Sequence, residues 1–163
     1  MKRLTIGVHA CTETLALLIA MAWADGTLAD TEKDAIRGAA DVFNLPKELR
    51  QRLEDLMKNP APIDQLLFDT VGEHDRAFAF VAATWMAGAD ENVDPKEEAL
   101  LSALANKLSL SHEQVKDLTA IARDLPKRGE KHPDAQEIST LFKAIPKQLH
   151  GIDESEAVEL VIE

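Results

Sequence analysis

Residues 21 to 32 read Met21-Ala22-Trp23-Ala24-Asp25-Gly26-Thr27-Leu28-Ala29-Asp30-Thr31-Glu32. Sixty-five positions later the chain reads Met86-Ala87-Gly88-Ala89-Asp90-Glu91-Asn92-Val93-Asp94-Pro95-Lys96-Glu97. Five of the twelve positions are identical, and Leu28 against Val93 keeps its apolar character. The match continues as a pattern: Ile36, Ala39, Ala40, Phe43 and Leu45 fall on Leu101, Leu104, Ala105, Leu108 and Leu110, and Glu48 falls on Glu113. Each copy reads as a buried helix, a tight acidic turn, an amphipathic helix and a third helix. Two such units cannot bury their apolar faces separately, so they are expected to pack together with approximate two-fold symmetry. The break Asn59-Pro60-Ala61-Pro62 divides them.

Outward from the repeat, apolar residues recur at helical spacing and strand-like alternation is nearly absent. The expectation is an all-α, compact helical bundle of about seven helices with strand content near zero. The first helix is expected over about 12–24, with Thr12 as N-cap, and is apolar nearly all round, hence central. The second is expected over 30–43. The third opens with Pro46 as its first residue and ends before Asn59. A short helix follows over about 63–70, then a second strongly apolar helix over 74–88 carrying Phe78, Val81, Ala82 and Trp85. A sixth runs over 95–108. The seventh takes Ser111 as N-cap, with Gln114 at capping-box spacing, and stops at Pro126.

The domain expectation is one body over 1–125, with repeat 1 at about 12–58 and repeat 2 at about 74–125. Residues 126–163 read as an acidic C-terminal appendage. It contains one amphipathic helix through Ile138, Leu141, Phe142 and Ile145, with Val158, Leu160, Val161 and Ile162 docking on the body.

With 163 residues the chain is long enough for a single real core, and 45% hydrophobic against 29% charged residues excludes wholesale disorder. The net charge of −11 disfavours nucleic acid and anionic membrane surfaces as partners, and points to cations or a protein partner met through an acidic surface. The single Cys, Cys11, excludes an intrachain disulfide and fits a reducing compartment. Lys2 and Arg3 ahead of the run Leu15–Ala24 imitate a signal peptide. Against that, His9, Thr12 and Glu13 interrupt the stretch, the repeat needs the run as a structural helix, and ten residues are half of a membrane span. A cytoplasmic protein without direct membrane insertion is therefore expected.

The twice-used pattern Ala-Asp-x-x-apolar-x-x-x-Glu, at Ala24 to Glu32 and Ala89 to Glu97, resembles the tellurite-resistance TerB family. The resemblance covers about residues 12 to 125. It implies a compact helical bundle, a role in tellurite and stress resistance, and a divalent-metal site built from acidic residues. Gly26 is replaced by Glu91 in the second copy, and the segment after Pro126 has no counterpart in the pattern.

Asp25 and Asp90 sit where a buried helix ends, and a negative charge there opposes the helix dipole. One explanation is structural: each Asp accepts turn N–H groups, and Glu32 and Glu97 close capping boxes. The other is that Asp25, Glu32, Asp90 and Glu97 converge across the pseudo-two-fold and share a hard cation such as calcium, magnesium or manganese. An EF-hand is excluded. If Gly26 takes loop position 6, Met21 and Trp23 occupy positions 1 and 3, and neither can bind calcium.

Weaker candidates are Glu73-His74-Asp75 as a general-base site and His9 with Cys11 as soft-ion ligands. His112, His132 and His150 read as solvated, and Trp23 and Trp85 as core. No phosphate loop, zinc helix or nucleophile elbow is present. The functional expectation is a non-enzymatic stress-response module binding a divalent cation or a partner protein. The alternatives are a metal-dependent hydrolase using the same carboxylates and a purely structural adaptor.

Overall fold

A computed structural model describes residues 2–23, 28–59, 66, 73–87, 95–125, 135–152 and 155–162. The described residues form seven helices and two short strands: β1 (Lys2–Ile6), α1 (Val8–Trp23), α2 (Asp30–Val42), α3 (Lys47–Lys58), α4 (Glu73–Met86), α5 (Pro95–Lys107), α6 (His112–Asp124), α7 (Ala135–Leu149) and β2 (Val158–Ile162). The all-α bundle is as the periodicity dictates. The expected short helix over 63–70 lies outside the described residues, save Leu66, which is buried.

Helices α1 and α4 pack on each other at the centre. Their apolar residues run all round, so burial follows on every side: Leu15, Leu17, Leu18 and Ile19 of α1, and Phe78 to Ala83 of α4, are inaccessible or nearly so. The duplication is visible in the packing. Helix α3 lies on α1 as α6 lies on α4. It is also visible in the backbone. Asn44 (φ 53°) and Ser109 (φ 58°), 65 positions apart, both adopt the left-handed conformation just past a helix. After each, a leucine N–H returns to the helix: Leu45 to the Ala40 carbonyl at 3.1 Å and Leu110 to the Ala105 carbonyl at 3.0 Å. Both copies thus end α2 or α5 with one and the same C-terminal motif.

Three expectations need correction. Thr12 is not an N-cap. Helix α1 starts four residues earlier, and the Thr12 Oγ1 donates to the Val8 carbonyl at 2.8 Å, as Thr14 does to Ala10 at 2.7 Å. Hydroxyls satisfied within their own helix can be buried at little cost, so these polar residues do not interrupt it. Pro46 stands just before α3 instead of within it, and its carbonyl accepts the Leu49 and Arg50 N–H groups.

The third correction concerns the chain ends. Strand content is small but present: β1 and β2 pair in parallel with Leu4 beside Leu160, and Arg3 meets Glu159 at 3.3 Å. Nor does the packing break at Leu125. Helix α7 lies on α2 and α4, and Ile138, Leu141, Phe142 and Ile145 belong to the common core. Phe142 stacks on Phe43, the C-cap of α2, and meets Phe78 of α4 edge-on, both at 5.0 Å between ring centroids. One aromatic side chain therefore ties the C-terminal helix to both repeats, and residues 135–149 are not an appendage. No helix among the described residues is long and apolar enough to cross a membrane.

The close approach of α7 requires a missing side chain at Gly38. A Cβ there would stand 2.6 Å from the Ala135 Cβ. Gly→Ala in a helix ordinarily gains about 1 kcal/mol. Here overlap costs about 1–3 kcal/mol, so Gly38→Ala is expected to lower the melting temperature; an unchanged or raised value would place α7 further from α2.

Candidate functional site

The acidic turns leave the two central helices at Trp23 and Met86. Asp25 and Asp90 themselves lie outside the described residues. Glu32 and Glu97, the other two expected ligands, occupy equivalent places in the first turns of α2 and α5. Negative charge there suits the positive helix end. Glu32 is 5% exposed and Glu97 is half-buried. The Glu32 Oε1 accepts the Ala29 N–H at 3.2 Å, the acceptor half of a capping box that Ala29 cannot complete.

Glu32 also borders a small cavity of about 10 Å³ between the ends of α1 and α4, lined by Ala22, Leu28, Met86 and Ile138 among others. That is room for about one water molecule. The end of the first buried helix, the end of its copy and a buried carboxylate are thus neighbours. Glu97 is not among the described residues that line the cavity. No group of three or more His, Cys, Asp or Glu among the described residues is arranged to hold a metal ion.

The weaker candidates separate clearly. Cys11 is fully buried, and desolvation pushes its thiol up to about 12. His9 is exposed on the same helix. The two do not sit on a loose end, because β1 and α1 hold this segment. A native thiol of this kind stays protonated, whereas the unfolded thiol ionises near its ordinary value of 9.0. Cys11 is therefore expected to resist alkylation at pH 8.5 until denaturant is added, and its ionisation in the unfolded chain weakens folding as pH rises above 9. Rapid native labelling would contradict this burial. His112 and His150 are exposed, Trp85 is buried and Trp23 is half-buried. Of Glu73-His74-Asp75, Asp75 is half-buried at the start of α4.

Two features are not signalled by the motifs. The first is a groove of about 270 Å³ between α2 and α3, floored by Ile36, Ala40, Leu53 and Met57. Arg37 spans it to both carboxylate oxygens of Glu54 at 2.6 and 3.0 Å, and Arg50 spans it to Asp41. The hydrogen bonds from Arg37 hold the Glu54 carboxyl below its ordinary range. The second is a buried ion pair. Glu13, 3% exposed on α1, accepts from Arg52 Nε at 2.7 Å and from Nη2 at 3.0 Å. The only signal for it in the sequence is a lone acid inside an apolar helix.

A duplicated helical module with an acidic turn inside each repeat is the class of protein that this fold and these residues define. The chain belongs to the DUF533 family of proteins of unknown function, whose model matches residues 9–122. That family is in the TerB-like superfamily. The matched span covers the first repeat and nearly all of the second, and stops before α7 and β2. No curated protein and no solved structure matches the chain.

Proposed function

We propose that this protein is a non-enzymatic module of the tellurite-resistance and stress-response type, which binds through its acidic face a divalent cation, held by Asp25, Glu32, Asp90 and Glu97, or a protein partner. The observation that carries this reading is the buried Glu32 carboxylate beside a cavity that the ends of α1 and α4 share. Both acidic turns start from those two helix ends, which favours a shared site over two separate caps. The donor set fits the group: carboxylate oxygens are the ligands that calcium, magnesium and manganese take. A bound cation would supply positive charge that holds the two turns against mutual repulsion.

The test is the melting temperature in millimolar calcium, magnesium, manganese or zinc, with calorimetric titration of each and of tellurite separately. A ligand bound only by the folded state at a hundred times its Kd adds about 2.7 kcal/mol, a rise of roughly 5–10 °C for a chain of this size. Asp25→Asn and Asp90→Asn should each abolish the rise, because both feed one site. If the turns are only caps, each change costs about 0.5–2 kcal/mol with or without ions. No shift with any ion, and none on adding a chelator, would remove the cation from the proposal.

A further inference from the structure

The two repeats differ at one buried contact. Glu13 of α1 is 65 positions before Phe78 of α4, and Arg52 of α3 is 65 before Asp117 of α6. Where α3 meets α1, a buried carboxylate takes a bidentate guanidinium. At the equivalent place on α4 stands Phe78, fully buried, and Asp117 is exposed. The position that carries the ion-paired carboxylate in the first repeat is thus occupied by an apolar side chain in the second. The fold does not demand the ion pair, and an apolar contact of similar volume is often equally or more stabilising.

We propose that the Glu13–Arg52 pair is a pairing selector, which admits the α2–α3 hairpin onto α1 and rejects its repeat copy, the α5–α6 hairpin. The need for a selector follows from the duplication. Ala22 of α1 and Met86 of α4 line one cavity, so the two hairpins depart from neighbouring points. The connections have six and eight residues, a reach of about 20 and 27 Å when extended. Either hairpin can therefore reach either central helix, within one molecule or between two. Docking α6 in the place of α3 sets Asp117 against buried Glu13, two like charges away from water. Docking α3 in the place of α6 separates Arg52 from Glu13. The first exchange is penalised by like charges that the native pairing avoids, a repulsive device of the kind that separates similar partners.

The test moves the code without touching Glu13. Arg52→Asp should lower the melting temperature by roughly 10 °C or more, because it sets a second carboxylate against buried Glu13. Adding Asp117→Arg, on an exposed site of the other hairpin, should recover at least half of that loss, since α6 now carries the guanidinium that Glu13 takes. Nuclear Overhauser contacts in the double variant should then join α1 to α6. Asp117→Arg alone should leave the melting temperature unchanged. If R52D/D117R melts no higher than R52D, or recovers while α1 still contacts α3, the selector is overturned. Should R52D fail to fold, the double variant still decides by folding or not.

Discussion

Ending the chain after Leu125 is expected to abolish cooperative unfolding. The deletion takes α7 and β2, and with them Ile138, Leu141, Phe142 and Ile145, each at most 4% exposed. Burying one such side chain is worth about 1.5–3 kcal/mol, so the four together equal roughly the 5–15 kcal/mol of a whole domain's stability. The deletion also bares Phe43 and Phe78, which Phe142 covers. Helical circular dichroism should persist while near-ultraviolet signal and the calorimetric transition vanish, and the product should bind a hydrophobic dye. The graded version is Phe142→Ala, expected to cost about 3–5 kcal/mol. A sharp transition in the truncated chain would show that the two repeats close a core without α7.

Arg52→Ala should cost about 3 kcal/mol at neutral pH, the lower end for breaking a buried pair, because Arg52 itself keeps 29% of its side chain in contact with water. The loss comes mainly from Glu13, whose side chain is only 4% exposed and loses both hydrogen bonds from this guanidinium. Replacing both partners, Glu13→Met with Arg52→Met, should come within about 1 kcal/mol of the wild type. Denaturant midpoints at pH 7 check both statements. An equal loss in the double variant would show that the effect does not come from the Glu13 charge.

The fold class and the duplication were legible in the sequence because they are matters of period and composition. A helical apolar stripe reports the helix, and two all-apolar stripes report two central helices. Local chemistry was legible too: Ser111 and Gln114 close the capping box that their spacing dictates, at 3.1 and 2.8 Å. The misread start of α1 has the same root. Thr12 looks like a cap when its helix is unknown, yet a hydroxyl bonding to the carbonyl four residues back serves equally well inside one. Of the candidate site, the placing of Glu32 and Glu97 at the starts of α2 and α5 follows from sequence alone.

What the sequence could not decide was which surfaces meet. The stripe on α7 is equally consistent with a detachable helix and a core helix, because amphipathicity states that a face is buried and not against what. Only the packing puts Phe142 between Phe43 and Phe78, and only the packing explains why Gly38 lacks a side chain. Pairing of β1 with β2 joins residues more than 150 positions apart, too far for any local pattern to encode. Glu13 shows the limit most clearly. Its partner stands 39 positions away on another helix, so the sequence shows a charge in an apolar run, and the tertiary structure alone supplies the counter-charge that lets it be buried.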